Sequence, residues 1–255
     1  MKKTIFITGA TSGIGKSCAE KFAAEGHDLV ITGRRKDRLE DLEKSLKDQY
    51  GVAVYTLAFD VRNREECFAS VSLLPDAVQQ IDVLINNAGL AAGREALNEA
   101  DIDDWDNMIQ TNVNGLLYIT RAVLPLIRKA KGHIINIGSV AGKVVYENGA
   151  VYCASKFAVD ALTKGMRLDL VKFGIKVTSV NPGAVETEFS LVRFKGDKDK
   201  ADAVYAGFLP LTAADIANTV FYCTTLPAHV CINDLSITPL QQADATTIYK
   251  NALIE

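Results

Sequence analysis

Long apolar runs are missing from this chain. No stretch approaches the ~18 uninterrupted apolar residues of a membrane helix, which argues against an α-helical membrane protein. Basic blocks are missing too. Lysine and arginine total 28 against 31 aspartates and glutamates, a net charge of −3, and that balance argues against a nucleic-acid binder or a polybasic membrane anchor. The five cysteines are an odd count, widely spaced and without a C-x-x-C pair, so a disulfide framework does not fit and a reducing compartment does. His27, His133 and His229 lack metal-ligand spacing, and no metal is expected. The apolar run at 4–8, after Met1-Lys2-Lys3, is too short for a signal peptide and ends at Gly9. The expectation is a cytoplasmic protein that binds neither nucleic acid nor membrane.

What is present is enough apolar material for a large core. Hydrophobic residues make up 48% of 255, near the average for globular proteins. At roughly 150 residues per domain the length allows one large domain or two small ones. No Pro/Ser-rich linker and no internal repeat divides it, so one domain over 1–255 is the better count. Apolar or β-branched runs at 4–8, 28–32, 53–59, 83–86, 133–137, 176–180 and 234–238 read as seven strands. Between them apolar residues recur at helical spacing, as in Ile14, Cys18, Ala19, Phe22 and Ala23. A second such face is Val113, Leu116, Leu117, Thr120, Val123 and Leu124. Continuously apolar strands such as Ile5-Phe6-Ile7 and Val83-Leu84-Ile85 suit a parallel sheet covered on both faces. Regular βαβ alternation predicts an α/β, doubly wound Rossmann fold with a seven-stranded parallel sheet. The charged stretch 195–200 reads as a long exposed loop.

The first strand runs into Thr8-Gly9-Ala10-Thr11-Ser12-Gly13-Ile14-Gly15 and then a helix. Glycines let the backbone approach a diphosphate, and a helix amino terminus supplies N–H donors and a favourable dipole. A lone glycine-rich loop is a weak signal; in the strand–turn–helix context it points to a nucleotide site.

The spacing G-x-x-x-G-x-G resembles the short-chain dehydrogenase/reductase family. Asn86-Asn87-Ala88-Gly89, Asn112, Ser139, Tyr152-x-x-x-Lys156 and Pro182-Gly183 follow in that family's order over nearly the whole chain. The resemblance implies cofactor contacts from Gly9, Thr11, Ser12, Gly13, Ile14 and Gly15, and from Asp60 and Val61 beside an adenine. It also implies Asn87 and Gly89 along the cleft, Lys156 on the nicotinamide ribose, and Pro182, Gly183, Val185 and Thr187 around the carboxamide. An alternative for Asp60 is a plain strand-ending turn residue.

Cofactor choice is argued from the second strand. NAD enzymes usually place a carboxylate about 20 residues beyond the glycines to bond the ribose 2′-hydroxyl. Here Thr32-Gly33-Arg34-Arg35 stands in that region, with no acid until Asp37. Two guanidinium groups suit a 2′-phosphate, so NADP is predicted; the plainer alternative is that both arginines solvate a helix start.

Tyr152 and Lys156 lie four residues apart in a helical segment, so phenol and ammonium share a face. A free tyrosine titrates near pH 10, and a neighbouring positive charge lowers that value. Tyr152 is therefore the predicted general acid and base, with Ser139 bonding the substrate oxygen. The resemblance adds Asn112 as holder of a water that connects the lysine to solvent. Cys153 adjoins the tyrosine but is turned away by its helical offset, and reads as packing.

The segment Glu186-Thr187-Glu188-Phe189-Ser190-Leu191-Val192-Arg193-Phe194-Lys195-Gly196-Asp197 lies where the family carries a substrate lid, taken here as 186–208. It resembles the NADP-dependent 3-hydroxy acid dehydrogenase branch, which oxidises serine, allo-threonine and related short acids and reduces malonic semialdehyde. Arg193 is a candidate carboxylate clamp; alternatively it is solvated or pairs with Glu186 or Glu188. Glu147 is left outside the site, pointing to solvent. The tail 241–255 holds few large apolar residues; the resemblance suggests a homo-oligomer, usually a tetramer, with such a tail packed on a neighbour, and a frayed end is the alternative. Two other functions stay open: a broad carbonyl or 3-oxoacyl reductase, and a non-catalytic NADP-sensing protein.

Overall fold

The computed structural model describes residues 2–250, so the last part of the predicted tail lies outside the described residues. The elements in chain order are β1 (Thr4–Ile7), α1 (Gly13–Ala24), β2 (Asp28–Gly33), α2 (Lys36–Tyr50), β3 (Val54–Ala58), α3 (Arg64–Ser72), β4 (Val83–Asn86) and α4 (Ile102–Ile109). A π-helical turn (Gln110–Gly115) leads into α5 (Leu116–Ala130), then β5 (His133–Ile137), α6 (Ala150–Leu170) and β6 (Lys176–Pro182). The rest is β7 (Val185–Glu186), α7 (Glu188–Arg193), α8 (Lys198–Ala203), β8 (Leu211–Thr212), α9 (Ala213–Thr225) and β9 (Asp234–Ile237).

Seven strands form one sheet in the order β3-β2-β1-β4-β5-β6-β9. Every pairing in it is parallel. The chain winds outward in one direction from β1 and in the other from β4. A crevice therefore opens at the carboxyl ends of those two strands, where doubly wound sheets bind ligands.

Alternate residues of each strand enter opposite core layers, as the pleat requires. Ile5, Ile7, Leu29 and Ile31 pack with Cys18, Phe22, Leu39, Ile216 and Val220 on one face. Phe6, Val30 and Leu84 pack with Cys67, Ile119, Val123 and Ile127 on the other. Each fully buried side chain of this size contributes ~1.5–3 kcal/mol relative to exposure. Among the described residues no helix is long and apolar enough to cross a membrane.

Two expectations need correction, and one left open is narrowed. The face of α5 is offset: Leu116, Ile119, Thr120, Val123 and Ile127 are buried, whereas Leu117 is exposed. At about 100° per residue the five buried side chains share one arc of the helix, and Leu117 falls just outside it. The stretch 195–200 is not all loop, because Asp197 caps α8 by accepting from the Lys200 N–H at 3.1 Å. The tail, up to residue 250, is neither frayed nor free of its own chain. Gln242 accepts from the Ala184 N–H at 2.8 Å, and Gln241 accepts from the Leu209 N–H at 3.1 Å. The Tyr249 N–H donates to the Gln241 carbonyl at 2.8 Å.

Candidate active site

The glycine turn sits where β1 ends at the crevice. Gly9 and Gly13 have φ of +67° and +51°, a left-handed conformation that glycine alone adopts without cost. A Cβ on Gly15 would collide with the Gly9 carbonyl and the Asn87 amide, so helix and turn approach as closely as backbone allows. At the start of α1, Ser12 makes no side-chain cap and the first turn holds no acid. Those N–H groups and their positive dipole end are left for an anion.

The segment after β4 is pinned to the same turn. Thr8 Oγ1 accepts from the backbone N–H of Asn87 (3.0 Å) and Ala88 (2.9 Å), and Asn87 Nδ2 donates to the Thr8 carbonyl at 2.9 Å. Asn87 thus fixes the turn's shape. Asn112, in the π turn, accepts from the Leu90 N–H (2.9 Å) and donates to the Leu90 carbonyl (2.8 Å) and to Ser155 Oγ (3.0 Å). A Cβ on Gly89 would lie 3.2 Å from Asn112 Oδ1 and 3.7 Å from Lys156 Nζ. Glycine there leaves the lysine's head uncovered.

Tyr152 and Lys156 project from α6 into one cavity of about 1060 Å³, which Ser139 and the glycine turn also line. Lys156 Nζ lies 6.0 Å from the centre of the Tyr152 ring and donates to the Ile137 carbonyl at 3.0 Å. An ammonium has three donors, and no carboxylate among the described residues partners this one. Burial pushes its pKa down from 10.5 to about 8. The Tyr152 phenol moves up, not down, from its ordinary value: burial dominates and Tyr146 adds to it, while the Ser139 hydroxyl and Arg193 pull the other way. The expected acidification by Lys156 is therefore not met within the chain alone. Ser139 follows β5, accepts from the Ala141 N–H at 3.1 Å and faces the Pro182 carbonyl at 3.5 Å. Cys153 is fully buried, as packing requires.

Arg34 and Arg35 follow β2 at the far end of the cavity. Arg35 donates to Thr11 Oγ1 (2.7 Å), Ser12 Oγ (2.9 Å) and Glu188 (3.2 Å). Arg34 is exposed, 3.9 Å from Asp60. Asp60 lines the cavity with Val61, but its carboxylate is committed to Arg62 at 2.7 Å. Burial alone would raise its pKa; the Arg62 bonds hold it below the usual carboxylate range.

Val185 and Thr187 line the cavity beside Pro182 and Gly183. The Thr187 hydroxyl caps α7, accepting from the Phe189 N–H at 3.2 Å, and lies against Gly13. Arg193, at the end of α7, does not pair with Glu186 or Glu188. Its Nη2 donates to Tyr146 Oη at 3.0 Å, and its Cζ stands 5.6 Å from the Tyr152 ring centre. Tyr146, Arg94 and Gln242 also line the cavity and were not singled out from the sequence; Glu188 lines it too, paired with Arg35 and Arg38. Glu147 is exposed at the same mouth. No group of three or more potential metal ligands occurs among the described residues.

The cavity suits an extended dinucleotide. Its walls carry seven lysine and arginine side chains against three acids, with an uncapped helix start at one end and a buried ammonium at the other.

The family model for short chain dehydrogenases matches residues 3–197. The chain is 46% identical over 243 residues to the NADP-dependent 3-hydroxy acid dehydrogenase YdfG of Salmonella typhi, covering 94% of this chain and 96% of that one. It is 46% identical over 245 residues to a sulfoacetaldehyde reductase of Chromohalobacter salexigens, covering 95% and 96%. The closed form of a serine dehydrogenase complexed with NADP+ superposes with a TM-score of 0.90 at 42% identity, over 99% of both chains. The chain belongs to the short chain dehydrogenase family.

Proposed function

We propose that this protein is an NADP-dependent oxidoreductase that interconverts a short 3-hydroxy acid and its 3-oxo form. The observation that carries the reading is one cavity holding a buried phenol, a buried ammonium, a hydroxyl and an arginine, continuous with the glycine turn. The cofactor, when bound, supplies or accepts the hydride.

The chain's own residues do the rest. The glycine turn from Gly9 to Gly15 and the start of α1 hold the diphosphate; Arg34 and Arg35 hold the 2′-phosphate. Asp60, Val61, Asn87 and Gly89 line the adenine and ribose side, and Pro182, Gly183, Val185 and Thr187 the nicotinamide side. Ser139 donates to the substrate oxygen and stabilises charge that develops there. Tyr152 Oη delivers a proton to that oxygen in reduction and takes it in oxidation. Its raised pKa keeps the phenol protonated at neutral pH, ready for reduction; oxidation needs added positive charge nearby. Lys156 supplies part of that charge and bonds the ribose, with Asn112 holding the proton path open beside it. Arg193 and the Tyr146 hydroxyl take the substrate carboxylate, which favours free acids over acyl thioesters or plain ketones.

The proposal includes a cytoplasmic homotetramer. Its supports are thiols kept free, four of them buried, and apolar side chains left exposed on and just after α5 and α6 (Leu117, Phe157, Leu168 and Val171). Sedimentation in solution tests the assembly. The function is tested by following nicotinamide absorbance with NADP+ and serine or 3-hydroxypropionate, and with NADPH and malonic semialdehyde. Turnover of these acids above that of matched neutral carbonyls supports the reading; turnover confined to neutral carbonyls or acyl thioesters, or none at all, overturns it.

A further inference from the structure

Two guanidinium groups converge on one phenol at the substrate end of the cavity. Arg193 Cζ lies 5.5 Å from the centre of the Tyr146 ring, and Arg94 Cζ lies 5.9 Å from the same point. The backbone fixes their relation. The Gly93 N–H donates to the Arg193 carbonyl at 2.9 Å, and Arg193 Nε returns to the Gly93 carbonyl at 3.4 Å. Both arginines face the cavity that holds Tyr152.

Neither guanidinium has a carboxylate within ion-pair distance among the described residues. Two of the cavity's three acids, Asp60 and Glu188, are tied to arginines at the far end. Among the described residues that line the cavity, Glu147 is thus the one carboxylate at the substrate end, and two arginines outweigh it. Glu95, next in sequence to Arg94, lies against Gly93 instead of pairing with its neighbour.

A monoacid uses one of these cations. Arg193, bonded to the Tyr146 hydroxyl and close to the Tyr152 ring, is placed for the carboxylate nearest the reacting carbon. Arg94 is then a second, unspent positive charge held one ring away, and a forked cation without an anion is a binding element for one. We propose that Arg94 receives a second acid group, so that the site selects 3-hydroxy acids bearing two carboxylates. The inference rests on the 3-hydroxy acid reading above and narrows its substrate class; the chemistry at the hydroxyl is unchanged.

The test compares 3-hydroxyglutarate with 3-hydroxypentanoate, which carries a methyl in place of the second carboxylate. Both are oxidised with NADP+ by the wild type, Arg94→Leu and Arg94→Lys. The wild type is expected to favour the diacid at least tenfold in kcat/KM. Arg94→Leu is expected to reduce that preference at least tenfold, through KM, and Arg94→Lys to restore part of it. A wild-type preference near one, or a preference that Arg94→Leu leaves intact, overturns the inference while turnover of the monoacid keeps the parent reading standing. Turnover of neither acid overturns the inference alone if serine or 3-hydroxypropionate is oxidised, and both readings if they are not.

Discussion

Glu188 accepts from Arg35 at 3.2 Å and from Arg38 at 2.9 Å, and so ties α7 to the end of the cavity that would hold a 2′-phosphate. Burial would raise its pKa, but the two guanidinium groups, Arg38 foremost, hold the carboxyl below its usual range. Arg35 is thus already oriented, by Thr11, Ser12 and Glu188 together.

Arg35→Ala should weaken NADPH binding by 10- to 100-fold, as the loss of a hydrogen-bonded charge worth about 1.5–3 kcal/mol implies. NADH binding should fall far less. Titration of both cofactors by fluorescence quenching checks this, and equal losses would reduce Arg35 to a scaffold for the glycine turn.

Tyr152→Phe removes one oxygen from a fully packed ring. Turnover should drop by about 10²–10⁴, the span usual for a general acid or base, with NADPH affinity within a few fold of wild type. Stopped-flow hydride transfer and cofactor titration on the same sample separate the two. Retained turnover would take Tyr152 out of the mechanism.

Arg193→Ala should lower kcat/KM for acids by at least tenfold more than for neutral ketones. The arginine also stitches Gly93 and Tyr146 to α7. Arg193→Lys, which keeps the charge and loses the fork, should fall between wild type and alanine. A uniform loss across acids and ketones would mean the residue only holds the lid.

Lys156 makes stability depend on pH in a direction that can be worked out. Its pKa is about 8 when folded and 10.5 when free. Between those values the unfolded chain binds a proton that the native chain does not, so stability rises with pH, by at most about 1.4 kcal/mol per pH unit. Below about 8 the cost of the buried charge is present in full. Cys18, its thiol pushed up to about 12 by burial, acts oppositely above pH 9. The comparison is therefore between wild type and Lys156→Met. In urea melts without cofactor the variant's advantage should be greatest near pH 7 and shrink toward pH 10.5; a constant difference would mean that the ammonium is not buried in solution.

The sheet was legible because parallel strands buried on both faces write themselves as unbroken apolar runs; β4 and β5 carry their expected limits. The glycine turn, Ser139, Tyr152 and Lys156 were legible through motif spacing. The exposure of Leu117 was not, because it stands about 100° around α5 from Leu116, at the margin of the buried arc, where apolar pattern does not tell core from rim. Nor were Tyr146, Arg94 and the partners of Glu188. The Tyr146–Arg193 and Arg38–Glu188 contacts join residues 47 and 150 positions apart, and nothing local announces them. The tail stayed open for a different reason: Gln241 and Gln242 hold it by side-chain bonds to backbone amides and carbonyls, where hydrophobic pattern offers little to read.

The π turn at Gln110–Gly115 makes this stretch unusually intolerant of a changed residue count. Deleting one position between Ile109 and Asn112 would let ordinary α-helical bonding run through from α4 to α5, and each residue of an α-helix turns by about 100°. Asn112 would swing off Leu90 and Ser155 while the helix itself improved. Such an in-frame deletion would then yield a well-folded protein with a disabled cleft, a lesion that melting temperature alone would pass as healthy.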